Sequence, residues 1–268
     1  MLASFKMGLV GGQRAMTPLA AVSIAAEAAL RHTHRARDCD MEAVVTTVIH
    51  AARCLCGETE SPIDLSTAGH DDAAFLATLD ERTMPIGAFF CPAIRCGVLY
   101  LHGRPDLACE LGRRAGAFEA NALSNPSLAE YLFYYAMALL ARWPELPRAE
   151  RRAARRLVRR ARKRFAIWSR HCPENFAARQ ALLEAELARV AGRGQVLDRL
   201  NAALEAAVRH DRIQYEALAA ELAARHCEAQ GQSSMAELYR ERALRAYQRW
   251  GATTKVALLT EQLAPRGS

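Results

Sequence analysis

Arginine is the residue type whose spacing in this chain could do the most chemistry. Between residues 148 and 170, ten arginines and one lysine meet a single acid, Glu150, so this segment carries +10 while the whole 268-residue chain carries +7. The remainder is therefore slightly acidic, at −3. Arg151, Arg152, Arg155, Arg156, Arg159, Arg160, Arg162, Lys163 and Arg164 recur at spacings that cover about half of a helical surface. Leu157, Phe165 and Trp168, with Ala153, Ala154, Ala161 and Ile167, form the apolar side. Such a helix is read first as a solvated face or a contact for an acidic protein. The rival reading is a surface for nucleic acid or an anionic membrane, because each phosphate neutralised adds salt-dependent affinity. No interleaved exposed aromatics or DNA-reading motif surround it.

The other reactive residue types do not converge. Glu216 and Glu221 are five apart, about 140° around a helix, which does not favour shared acid–base work. They are expected to face solvent or to pair with Arg212 and Arg225, each four residues away. His50, Cys54 and Cys56, and separately Cys91 and Cys96, could approach a metal, but the paired units of a structural zinc site are missing. His171 beside Cys172 suggests a base and a nucleophile, yet neighbouring side chains at a helix end diverge. No phosphate loop of Gly-x4-Gly-Lys-Ser/Thr type and no kinase glycine-rich or catalytic loop occurs. No catalytic residues, cofactor or metal are assigned from these patterns.

These residues must be positioned by helices. Half the residues are hydrophobic, and Ala, Leu, Arg and Glu dominate, all good helix formers. Period-two runs of β-branched residues hardly occur; Glu42–Ile49 is the nearest and fits a helix equally well. Residues 1–16 read as a loose start. Thr17-Pro18 opens a helix to about Arg35, and a second runs from Met41 to Leu55 and stops at Gly57. The polar stretch 57–71 is the clearest loop and the expected boundary, separating N-terminal helices (1–57) from a repeat domain (72–268). A short helix from Asp71 and Asp72 to Leu79 follows. The next, from Met84-Pro85 to Gly103, should be disturbed at Pro92. Helices are then expected over 105–119, 125–142, 147–171, 173–191, 195–210, 212–230, 233–250 and 252–263. Eight scattered cysteines in apolar helical text suit reduced thiols in the cytoplasm. Lys6 and Arg14 before the apolar stretch Leu19–Ala26 resemble a signal peptide, but Glu27 and the continuing helix argue against cleavage. No run of 18 apolar residues predicts a membrane-spanning helix.

A weak repeat underlies the helices. Five, eight and twelve residues after Gly103 stand Ala108, Leu111 and Ala115; after Gly192, Leu197, Leu200 and Leu204; after Gly231, Ala236, Tyr239 and Ala243. Gly192 and Gly231 are 39 apart, a helical-hairpin period. A lone hairpin cannot bury its apolar face, so the expected fold is all-α, an α-solenoid of antiparallel helix pairs with a concave surface. Tyr131, Tyr134, Tyr135 and Trp143 are candidate anchors for a protein partner there, joined by Asn175 and Trp250. The basic set Arg151, Arg152, Arg155, Arg156, Arg159, Arg160 and Lys163 is the alternative binding surface.

Four strings carry a family resemblance: Cys172-Pro173-Glu174-Asn175-Phe176; Leu183 to Arg189 with Gly192; Tyr215 to Ala223 with Gly231; and Ala246 to Val256 through Trp250-Gly251-Ala252. In this order they resemble the tetratricopeptide-like helical region of large bacterial signalling proteins, over about Asp71 to Leu263. In those proteins the region lies between a regulatory ATPase module, often behind a serine/threonine kinase domain, and a sensor or histidine-kinase module. The resemblance implies a helical-repeat scaffold in signal transduction or transcriptional regulation. Together with the groove, the expected function is non-catalytic recognition of a signalling or regulatory protein partner in the cytoplasm. The kinase and ATPase motifs themselves are absent from this chain. An enzyme of another type in the groove is the remaining reading.

Overall fold

The structure, a computed structural model, describes residues 19–80, 82–122 and 127–263. The expected loose start, the Thr17-Pro18 helix opening and positions 125–126 lie outside them. Twelve α-helices occupy the described residues, with no strand among them. They are α1 (Leu19–Ala36), α2 (Cys39–Cys56), α3 (Asp72–Thr78), α4 (Pro85–Leu101), α5 (Pro105–Gly116), α6 (Ser127–Ala141), α7 (Arg148–His171), α8 (Pro173–Val190), α9 (Val196–Arg209), α10 (Ile213–Ala229), α11 (Ser233–Trp250) and α12 (Thr253–Leu263). No helix among the described residues is long and apolar enough to cross a membrane. Glu42–Ile49 lies inside α2. Helix α4 runs through Pro92 without interruption, against the expected disturbance; Pro92 is buried, and its neighbours Phe89, Phe90, Cys91 and Cys96 pack the helix into the core.

The helix ends share one device. In the turns after α4, α8 and α10, glycines 103, 192 and 231 adopt φ of 73°, 61° and 72°. Each glycine N–H donates to the carbonyl three residues back, and the following residue donates to the carbonyl five back. A left-handed residue here costs glycine no Cβ clash, so the chain reverses in few residues and the next helix returns beside the last. Arg37 and Asp211 take the same left-handed geometry at the ends of α1 and α9 without being glycine.

The chain divides into two compact units, Met1–Ala138 with Gly251–Thr254, and Leu139–Trp250 with Lys255–Ser268. Helices α6 and α12 each contribute to both. In the first unit, α1 packs on α2, α2 on α4 and α4 on α5. Val22, Ala26, Val45, Val48 and Ile49 form one apolar cluster there. The 57–71 loop lies within this unit and is closed by bridges Ser61 to Asp64 and Thr67 to His70. Thr254 Oγ1 donates to the Leu55 carbonyl at 3.0 Å.

In the second unit, α7 packs on α8, α8 on α9, α9 on α10 and α10 on α11. Of the repeat positions, Leu200, Leu204, Ala236 and Ala243 are buried, while Leu197 and Tyr239 are half-buried. Side chains also bridge successive hairpins at nearly the repeat interval. Tyr239 Oη donates to Asn201 Oδ1 at 2.7 Å, and Arg212 Nε donates to the Glu174 carbonyl at 2.9 Å; both pairs are 38 residues apart.

Candidate functional site

Helix α7 is 24 residues long, and Ala154, Val158, Ala161 and Phe165 make its buried stripe. These four recur at three- and four-residue intervals, so they fix one side of the helix to the protein. The exposed side then falls on the arginines. Arg148, Arg151, Arg152, Arg155, Arg156 and Arg159 follow each other at intervals of three and one, and together line an open trough of about 590 Å³. Over eleven residue steps the row extends about 16 Å. Arg151 is half-buried and donates through Nε to the Leu146 carbonyl at 2.9 Å. The Arg155 guanidinium lies 5.6 Å from the centre of the Trp143 ring. Two of the six are thus oriented by neighbours within the protein. None of the six forms an ion pair with a carboxylate of the described residues.

Elsewhere the arginines meet acids. Arg104 pairs with Asp106 at 2.9 Å, Arg189 with Glu186 at 2.7 Å and Arg245 with Glu241 at 2.8 Å. On α7 itself, Arg162 reaches Glu184 at 2.6 Å, on the flank beside the trough. Of the expected basic set, Arg152, Arg155, Arg156, Arg159 and Lys163 are exposed, and Arg151 and Arg160 are half-buried. Arg148 also lines the trough and was not in that set. Its spacing, four before Arg152 and seven before Arg155, was legible in the sequence.

The aromatic set is placed differently. Tyr131 is buried, and Tyr134 and Tyr135 are half-buried. Three glycines make room for them: Gly97 faces the Tyr134 ring, Gly112 the Tyr135 ring and Gly116 the Tyr131 hydroxyl. A Cβ at Gly97 would stand 3.0 Å from Tyr134, and one at Gly112 would overlap Tyr135. Tyr131 also meets Phe89 edge-on, with ring centres 5.2 Å apart. Trp143 is half-buried beside Arg155, and Trp250 is buried with its ring centre 6.3 Å from that of Tyr247. Asn175 is half-buried; its Oδ1 accepts from Arg212, and its Nδ2 donates to Cys172 Sγ at 2.9 Å. Arg179, one turn further along α8, is buried with its guanidinium against Phe165, Phe176 and Tyr215, and donates to the Asn175 carbonyl.

Glu216 and Glu221 correct the expectation of solvent exposure, since both are buried. Glu216 lies near Arg242 at 3.6 Å and Arg249 at 3.4 Å. Glu221 pairs with Arg225, as expected, and also accepts from Lys255 Nζ at 2.9 Å and Tyr247 Oη at 2.6 Å. Burial alone would raise the Glu221 carboxyl, but Lys255, Arg225 and Tyr247 outweigh it and hold it below the usual range. Arg212 turns to Glu174 and Asn175 instead of Glu216.

The cysteine and histidine sets are held in packing and local hydrogen bonds. Burial pushes the Cys54 thiol up to about 11 and the Cys91 thiol up to about 12. These thiols donate to carbonyls, Cys54 to Pro62 at 3.3 Å and Cys91 to Ala43 at 3.5 Å. Cys172 donates to Glu174 Oε1 at 3.0 Å, and burial followed by that carboxylate raises its thiol too, the opposite of what a nucleophile needs. His50 stacks on His70 with ring centres 3.9 Å apart. Burial, then His70 and Arg53, lower His50 to about 4. Beside them Asp72 forms a buried ion pair with Arg95. Among the described residues, no group of three or more His, Cys, Asp and Glu is arranged to hold a metal ion.

Comparison of the chain with known protein families, with curated proteins and with solved structures finds no match.

Proposed function

We propose that this protein is a non-catalytic helical-repeat scaffold in signalling or regulation, and that it holds an anionic macromolecular partner on the exposed face of α7. The observation that carries the reading is the row of six arginines lining one trough, none paired with a carboxylate of the described residues. Like charges three and four apart on a helix repel. A row that the acids of the described residues leave without ion pairs is suited to an external anion. Three acids of the second unit are paired elsewhere, Glu184 with Arg162, Glu186 with Arg189 and Glu221 with Lys255.

Two further lines support a tetratricopeptide-like scaffold. Similar glycine turns close the α8–α9 and α10–α11 hairpins, and bonds between them recur at about the same sequence interval. The motif strings that resemble bacterial signalling scaffolds have packing roles within this repeat: Asn175 receives Arg212, and Lys255 neutralises Glu221. The exposed surface favours α7 over the aromatic set, whose tyrosines are largely engaged with glycines of α4 and α5.

The test is binding to two chemically different polyanions, heparin and polyglutamate, by calorimetry. The wild type is expected to bind at least one of them. Replacing Arg152, Arg155, Arg156 and Arg159 with Gln is expected to weaken that binding at least tenfold, with an unchanged helical circular dichroism spectrum. Binding that survives the replacement would place the interaction elsewhere and end this reading.

A further inference from the structure

We infer that the α7 trough is a docking surface for the phosphodiester backbone of double-helical nucleic acid, taken without sequence preference. This rests on the anionic-partner reading above and names the partner's chemistry.

Three observations bear on the choice among phosphodiester, carboxylate and membrane, and the second and third favour phosphodiester. First, all six lining side chains are guanidinium groups. Their planar forks match two oxygens of one phosphate or of one carboxylate, so they call for an oxyanion without separating the two; Arg151 is held by the Leu146 and Pro144 carbonyls and Arg155 lies over Trp143. Second, the face lacks an apolar anchor. Between the arginines stand only exposed Ala149, Glu150 and Ala153, and the half-buried Leu157. Affinity there must come from charge alone, and a duplex provides that charge densely. About 16 Å of duplex axis carries roughly ten phosphates with condensed counterions to release. Third, the apolar side of α7 is committed to the protein through Ala154, Val158, Ala161 and Phe165. The exposed part of α7 offers Ile167 as a single large apolar side chain, too little to lay into a bilayer.

The same face argues for a duplex over a single strand. Single-strand binders stack bases on exposed aromatic rings. The aromatic ring beside this row is half-buried Trp143, and the Arg155 guanidinium lies over it. A helix that projects arginines to one side can follow a groove edge or a backbone of either DNA or RNA, reading charge and shape.

The experiment is fluorescence anisotropy with a labelled 20-base-pair DNA duplex, the matching RNA duplex, the single strand, polyglutamate and phosphatidylserine vesicles, each from 50 to 300 mM salt. A duplex is expected to bind in the micromolar range, with log K falling against log salt at a slope of about −4. At least one duplex should bind tenfold tighter than the single strand, polyglutamate or vesicles. The R152Q/R155Q/R156Q/R159Q variant should lose most of that slope, and the same four changed to Lys should keep it. Equal or tighter binding to polyglutamate, vesicles or the single strand would overturn the duplex assignment and leave the anionic-face reading standing. Binding to none of these would end both.

Discussion

Glu221 and Lys255 show how much of a residue's role its sequence spacing can hide. The sequence gives a helix with an acid four residues before Arg225, and that pair forms. It does not show that Lys255 arrives from 34 residues away to share the same carboxylate under full burial. Removing one partner from such a pair strands a buried charge, so Lys255→Ala is expected to lower stability by about 3–5 kcal/mol in urea denaturation. The triple replacement Glu221→Leu, Lys255→Met, Tyr247→Phe should recover most of this loss; a loss of under about 1 kcal/mol for Lys255→Ala would contradict the network. His50 makes a pH-dependent claim. Its pKa in the folded protein is about 4, against 6.5 for an unburied imidazole, so the unfolded chain binds the additional proton between these values. Stability should therefore hold above pH 6.5 and fall as pH drops toward 4, by up to about 3 kcal/mol. His50→Phe should flatten this slope in denaturation series at pH 7, 6, 5 and 4.5. An unchanged slope would mean that the stacked imidazoles are not its source.

Helices were the level most legible in the sequence. Spans from α7 to α12 follow from short turns with glycine or proline at their ends, and each expected end lies within a residue or two of the observed one. The aromatic run of α6 was not legible in the same way. Tyr131, Tyr134 and Tyr135 look like binding anchors until Gly97, Gly112 and Gly116 are seen opposite them, and one-dimensional periodicity does not reveal which distant glycine a ring will meet. Gly112→Ala would force the Tyr135 ring aside, at an expected cost of about 1–3 kcal/mol from overpacking. An undiminished melting temperature would contradict that packing. For α7 the expected sign is reversed. Arg152 has Arg148 and Arg156 four residues to either side, so Arg152→Glu exchanges two repulsions for two attractions. It should stabilise the protein by about 0.5–1 kcal/mol while weakening anion binding. Such a substitution, improving the fold and impairing the function, would mark the arginine row as kept for a partner.

At the scale of the whole molecule, composition and period foretold an all-helical chain, and the structure is all-helical across the described residues. The division into two compact units, with residues 251–254 belonging to the first and both their flanks to the second, has no signal in composition. Single side-chain bonds agree with it, as Thr254 donates to the Leu55 carbonyl within the first unit and Lys255 to Glu221 within the second. The charge distribution was legible: +10 in one segment of a chain otherwise near neutrality. What the sequence could not supply was the absence of carboxylate partners along six of those arginines among the described residues, since that depends on which acids fold toward α7. The most direct measurement is arginine footprinting with phenylglyoxal, read by mass spectrometry, on purified protein with and without saturating DNA or RNA duplex. Arg152, Arg155, Arg156 and Arg159 should be modified readily alone and protected at least severalfold when bound, with Arg245 unchanged as an exposed reference. Equal reactivity of these four in both conditions would show that the basic face of α7 is not the binding surface.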